Sequence, residues 1–200
     1  MTETVRFHFD PICPWAWQSS RWIRDVAQIR DITVDWRVFS LQLTHEGKDD
    51  PLADLHVKGT PALRTLALTR RRFGNEAVGR TYEAIGRRVH DGDEELDTDV
   101  VRRSLEDVGL DPGLVEQALE DDSTMDDVRA DHDAAVTEVG AFGVPTIVLG
   151  SGRGLFGPVL ATAPAREEAG ELWDHVRFLI DADGFYELKR DRDRDPGERG

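Results

Sequence analysis

Cysteine is nearly absent from this 200-residue chain: Cys13 is the only one. No internal disulfide can form. No apolar run approaches about 20 residues, so nothing is expected to span a membrane. The opening Met-Thr-Glu-Thr-Val-Arg holds no apolar stretch, so no signal peptide is expected and the protein is expected to be cytoplasmic. Lysine is scarce too, with three among 25 basic residues. Against 40 acidic residues these leave a net charge of −15, which argues against nucleic acid and anionic membranes as partners. No G-x-G-x-x-G follows the first strand pattern, so no dinucleotide site is indicated. The six histidines are scattered and no Cys–His or His–His spacing suits zinc. Asp91-Gly92-Asp93-Glu94-Glu95 lacks the alternation of a calcium loop. No metal site is expected.

What is present begins with Val5-Arg6-Phe7-His8-Phe9, whose alternation is that of a strand. A helix pattern follows over 13–30, with Ala16, Trp22, Ile23, Val26 and Ala27 on one broad face. Residues 32–41 are rich in β-branched and aromatic side chains and read as a second strand. Two strands separated only by a helix form a βαβ unit and imply parallel pairing. Residues 42–59 are polar and loop-like. Thr60-Pro61 then reads as the cap and first position of a helix. It is the first of five helical patterns up to Val139. Strand pattern returns at 146–149, with a turn at 150–152 and an antiparallel strand at 154–157. Glu167-Glu168 opens a last helix, with acidic residues at its positive end. The order of elements argues for an α/β core, residues 1–59 and 141–188, carrying an all-helical insertion at 60–140. The alternating charges of 189–200 read as a solvated, mobile tail.

Cys13 falls where the first strand gives way to the first helix, in Phe9-Asp10-Pro11-Ile12-Cys13-Pro14-Trp15-Ala16-Trp17. Pro14 sits at the first helical position, where a missing N–H costs nothing. The free N–H groups and positive end of the helix then face the sulfur, an arrangement that lowers a thiol pKa. A lone cysteine is often an inert buried thiol, but this position argues for a nucleophile. Trp15 and Trp17 flank it, and Trp15 offers a wall to a flat ligand. His8 is expected to pack or cap, and His132 has no assigned role.

A second motif, Gly143-Val144-Pro145-Thr146, stands just before a strand. Paired with the proline-flanked Cys13, it resembles the order of thioredoxin-like folds. There a cis proline, here Pro145, faces the cysteine, and the residue before it, here Val144, pairs its backbone with a thiol substrate. The chain resembles the DsbA-like branch of that superfamily, a mixed sheet flanked by helices with a helical insertion. Within the branch it is most similar to the actinobacterial mycothiol-dependent nitroreductase family. The residues that carry the likeness are Phe9 through Trp17, Gly74-Asn75-Glu76, the Tyr82–His90 stretch, Phe156-Gly157-Pro158-Val159, Ala163 through Glu168, Leu172-Trp173-Asp174 and Phe185 through Arg190.

The resemblance implies a thiol oxidoreductase that draws on mycothiol or a similar small thiol, with no tightly bound cofactor. Its acceptor would be a small electrophile, such as a nitroaromatic compound or a mixed disulfide. A homodimer is left open. The implied catalytic set is Cys13, Pro14, Trp15 and Pro145; Val144, Thr146, Trp17 and His90 would contact substrate. One departure stands out. Many relatives carry Cys-Pro-Trp-Cys, whereas here the fourth residue is Ala16. Without a second thiol an outside thiol must resolve any mixed disulfide. Two other readings stay open: an enzyme like the kappa-class glutathione transferases and their isomerase relatives, and a redox-inactive binding module that keeps the fold.

Overall fold

The computed structural model describes residues 2–197. Met1 and the last three residues of the charged tail, 198–200, lie outside the described residues. Strand β1 (Glu3–Phe9) lies at the centre, with Val5, Phe7 and Phe9 fully buried. Helix α1 (Pro14–Ile29) leads to β2 (Ile32–Val38), which pairs in parallel with β1, Phe7 opposite Trp36. On its other side β1 pairs antiparallel with β3 (Thr146–Val148), which pairs antiparallel with β4 (Gly154–Phe156). The order is β2-β1-β3-β4, a mixed sheet of the thioredoxin-like kind. The last helix, α9 (Arg166–Asp181), packs along α1, and Trp22 donates its indole N–H to the Ala169 carbonyl at 3.0 Å.

The second strand ends three residues earlier than its composition suggests. Ser40 takes an extended conformation and its hydroxyl accepts the Leu43 N–H, which starts the short helix α2 (Leu41–Thr44). The polar stretch after it is not all loop. It holds a second short helix, α3 (Ala53–His56), and a 3₁₀ turn, Val57–Gly59. That turn runs straight into α4 (Thr60–Phe73), so Thr60 is helical rather than a cap, and its hydroxyl instead bonds Gln42 at 2.6 Å.

Around α4 pack α5 (Asn75–Gly86), α7 (Leu114–Glu120) and α8 (Ser123–Val139), while α6 (Thr98–Asp107) lies on α5. This helical group meets the sheet through aromatic rings. Tyr82 stacks on Phe9 at 3.8 Å between centroids, and Trp36 sets its edge against Phe7, Phe9 and Tyr82. Each buried ring of this kind contributes about 1.5–3 kcal/mol. Asn75 adds a polar hook: it accepts the Trp36 N–H and donates to the Trp36 carbonyl, both at 2.9 Å. The guanidinium of Arg24 lies 4.1 Å over the Trp36 ring and reaches the Gly79 carbonyl. Close approach here requires glycine. A Cβ on Gly86 would stand 2.2 Å from the Trp17 ring.

His8, expected to pack or cap, packs. It is 1% exposed, and nothing among the described residues hydrogen-bonds either ring nitrogen. Burial first, then the charges of Arg6 and Arg37, pushes its pKa down to about 4.

Two predictions follow from this packing. Gly86→Ala should lose about 1–3 kcal/mol in urea unfolding, because the fixed Trp17 ring cannot yield and overpacking exceeds any gain in helix propensity. His8 pulls toward unfolding in acid, since the unfolded chain takes the proton at about 6.5 while the folded chain resists it down to about 4. Stability is therefore lost as pH falls from 6.5 through 4, by about 2 kcal/mol at pH 5. His8→Leu should remove that much of the difference between unfolding curves at pH 7 and pH 5.

Candidate active site

Phe9 ends β1, and the next four residues turn the chain into α1. Cys13 adopts an extended conformation and is itself the N-cap, with Pro14 in the first turn. Its Sγ accepts the Ala16 N–H at 3.4 Å, the bond a helix N-terminus offers to an electron-rich atom. From the other side the sulfhydryl reaches the Val144 carbonyl at 3.8 Å. The Val144–Pro145 peptide bond is cis. The fold thus brings together the two motifs that the sequence holds 131 residues apart.

The expected lowering of the thiol pKa is not found. Cys13 is 8% exposed, and burial pushes its thiol up to about 11. The N–H groups of Ala16 and Trp15 pull the other way, as does the Arg192 charge, while Asp10 adds to the rise. Removing a small sulfur from water outweighs two N–H groups at the helix end. In this arrangement Cys13 is a protonated thiol.

Asp10 lies beneath the loop and is fully buried. Its carboxylate accepts the Ile12 N–H at 3.2 Å and the Leu41 N–H at 2.9 Å. Burial raises its pKa to about 7 against both of those bonds. The sequence placed Asp10 in the motif without giving it a role. Its one signal was an acid directly after a buried strand, where no solvated surface was available.

The other candidates divide. Trp15 is half-buried and lies on the open side of the motif, with the Arg192 guanidinium 4.5 Å over its ring. Trp17 turns inward instead. It is 1% exposed, stands edge-on to Tyr82 and donates its indole N–H to Asp91 at 3.0 Å. It therefore locks α1 to the insertion and offers no free face to a ligand. Thr146 is likewise fully buried, its hydroxyl held by the Gly143 carbonyl at 2.8 Å, so it shapes the Pro145 turn from inside. Val144 is 5% exposed and meets the sulfur through its carbonyl.

His90 does approach the active-site loop, though not the sulfur. Its Nε2 lies 2.9 Å from the Pro11 carbonyl, which can only accept, so Nε2 carries the proton. Burial lowers its pKa. The helical pattern at 78–89 gives no hint of how His90 gets there: after Gly86 the helix widens into a π turn, Arg87–Asp91, which swings His90 onto Pro11 and Asp91 onto Trp17.

Two features escaped sequence reasoning. Phe142, next to the Val144–Pro145 turn, is 65% exposed and stacks on Phe156 at 4.7 Å. The composition of the tail reads as solvated, and residues 189–195 are exposed; yet Arg192 lies over Trp15 and the Gly197 N–H donates to the Ala161 carbonyl at 2.7 Å. A cation needs only one aromatic face to dock, which a composition of alternating charges does not disclose.

Known proteins similar to this chain bear on its family and fold. The Rv2466c-like family model, described as mycothiol-dependent nitroreductase Rv2466c, matches residues 12–190. The uncharacterized protein Rv2286c of Mycobacterium tuberculosis (strain ATCC 25618 / H37Rv) is 44% identical over 190 residues, which cover 94% of this chain and 81% of that protein. Among solved structures, the cytosolic disulfide reductase DsbM from Pseudomonas aeruginosa superposes with a TM-score of 0.61 at 15% identity, over 88% of this chain and 99% of that one. The probable DsbA oxidoreductase SCO1869 from Streptomyces coelicolor gives 0.60 at 20% identity, over 96% and 94%. At such identities the structures speak for the fold alone, which is DsbA-like. A family match that runs from the active-site loop to the start of the tail decides the rest: the chain belongs to the Rv2466c-like family of mycothiol-dependent nitroreductases.

Proposed function

We propose that this protein is a monothiol oxidoreductase that uses Cys13 as nucleophile and mycothiol, or a similar small thiol, as electron donor. The observation that carries the reading is the position of Sγ, between the Ala16 N–H and the Val144 carbonyl at the start of α1. A developing thiolate there is met by N–H groups already in place. Ala16 occupies the fourth position of the motif, so no neighbouring thiol can attack a mixed disulfide. The Cys13 thiolate attacks a mixed disulfide of mycothiol and a second thiol, becomes joined to mycothiol, and releases the second thiol. Free mycothiol then attacks that bond, forms mycothiol disulfide and returns Cys13 as thiolate. The exchange as a whole turns the mixed disulfide and one mycothiol into mycothiol disulfide and the released thiol. With a nitroaromatic acceptor, two free mycothiols would instead be oxidised to mycothiol disulfide, and their two electrons and two protons would give a nitroso compound and water.

In this reading Val144 and Pro145 dock the thiol through the backbone, Pro14 starts the helix, and Trp15 forms the wall of the acceptor site. The absence of a membrane-crossing helix among the described residues fits a small-molecule reaction in the cytoplasm. A second reading has an observation of its own. The buried, protonated Cys13 suits a binding module in which the thiol does no chemistry.

Intact mass after incubation with mycothiol disulfide separates the two readings. A single adduct, absent in Cys13→Ser and removed by excess reduced mycothiol, is the outcome expected of the monothiol enzyme. No adduct on the folded chain, with labelling only after denaturation, would favour the binding module. The tail's Arg192 lies over Trp15 and its charge reaches the thiol, so in this reading truncation after Leu188 should lower the Cys13 pKa from about 11 and speed its alkylation several-fold at pH 8. The loss of burial should outweigh the loss of the Arg192 charge, the weakest of the influences on the thiol. An unchanged rate would mean that the tail does not cover the thiol.

A further inference from the structure

The segment between β2 and α4 brings together two histidines and a carboxylate that no part of the thiol chemistry uses. His45 follows α2, Asp50 precedes α3, and His56 ends α3. A donor atom from each lies within 4.8 Å of donor atoms of the other two. The spacing His45-x₄-Asp50-x₅-His56 matches no familiar zinc motif, which is why none was expected from the sequence; the two short helices create the cluster by folding the segment back on itself.

The state of the rings is set by their surroundings. His45 has Nδ1 at 2.9 Å from the Leu41 carbonyl, and His56 has Nδ1 at 2.8 Å from an Asp50 carboxylate oxygen. Both Nδ1 atoms also face one carboxylate oxygen, Asp50 Oδ2, at 2.8 Å from His56 and 3.9 Å from His45. A cation seated between them would take the Nδ1 lone pairs, with each ring's proton on Nε2 and His45 Nδ1 released from the Leu41 carbonyl. The two rings lie nearly parallel, 5.2 Å between centroids. His56 is 7% exposed and the Asp50 side chain 10%, so these donors are preorganised rather than loose on the surface. His45 is more open and borders a cavity of about 470 Å³, lined also by Gln42, Glu46, Met125 and Arg129.

We propose that His45, Asp50 and His56 form a binding site for a late first-row divalent cation, with zinc the first candidate. Two imidazoles and a carboxylate suit zinc, cobalt or nickel and not magnesium or calcium, which prefer oxygen. Bonds of about 2.0–2.2 Å bring tetrahedral donors to about 3.4 Å apart, so modest side-chain rotations close the present spread. Water from the cavity completes the shell. The Asp50 carboxylate brings a negative charge to the site, and the net charge of −15 favours a cation further.

The place of the site indicates what the cation does. Both ends of the segment rest on Asp10: the Leu41 N–H bonds its carboxylate, and a Cβ on Gly59 would stand 2.6 Å from its Oδ1. A cation at the middle of the segment would hold it in shape from within. It would thereby steady the residue on which the Cys13 loop is built. The role is structural and does not depend on the thiol reaction.

The test uses untagged, chelator-stripped protein in a Cys13→Ser background, so that sulfur cannot supply a ligand. Titration calorimetry with zinc chloride should show one site per chain with a dissociation constant in the micromolar range or tighter, and zinc should raise the melting temperature. Cobalt should give visible bands of nitrogen and oxygen ligation. His45→Gln, Asp50→Asn and His56→Gln should each weaken binding at least tenfold. His45→Gln, the most exposed of the three, guards against loss of folding, checked by circular dichroism. No saturable binding up to about 1 mM zinc, or equal binding in all three variants, overturns the proposal.

Discussion

One buried carboxylate holds the two halves of this molecule in register. Asp10 has no exposed surface, yet it receives an N–H from the active-site loop at Ile12 and another from Leu41 across the sheet, while the backbone of Gly59 presses against it. The loop that carries Cys13, the segment that leaves β2 and the entry to the helical insertion all meet at this side chain. Burial makes it a weak acid with a pKa of about 7, so near neutrality it is charged only part of the time. An acid in such a place is unfavourable for stability by itself. It is the geometry of three segments, not net energy, that the residue secures.

The same balance governs the sulfur a few residues on. A helix N-terminus favours an anion; a dry environment opposes one. At Cys13 dryness wins: the buried thiol, facing the Val144 carbonyl, has its pKa pushed up to about 11. The N–H groups around Sγ are nevertheless in position before any charge appears.

Much of this could be read from the chain. Alternation in Val5–Phe9, proline after Cys13, and the βαβ order point to the sheet core and to Cys13 at the start of a helix, because each is a local signal with one structural meaning. Side-chain direction was harder. Trp15 and Trp17 look equivalent in sequence, two residues apart, but the helix turns them to different sides, and only the glycine at position 86 makes room for the second. Its neighbour Pro145 points Thr146 toward substrate, but β3 is buried along its whole length and the Thr146 hydroxyl is held by the Gly143 carbonyl. The thiol pKa depended on how much protein lies above the sulfur, a property of the tertiary fold that no motif states. Likewise, His45, Asp50 and His56 come together only through two helices of four residues each, shorter than any periodic signal.

The Asn75 amide has a consequence beyond holding the insertion to the sheet. β2 is an outermost strand, and its free side is a template for another chain. Asn75 gives to and takes from the Trp36 peptide as a neighbouring strand would, at the middle of that free side. A single side chain thus impersonates one residue of a fifth strand. The insertion serves as a guard against self-association of the sheet, and the edge left unguarded in this way is β4, at the opposite end.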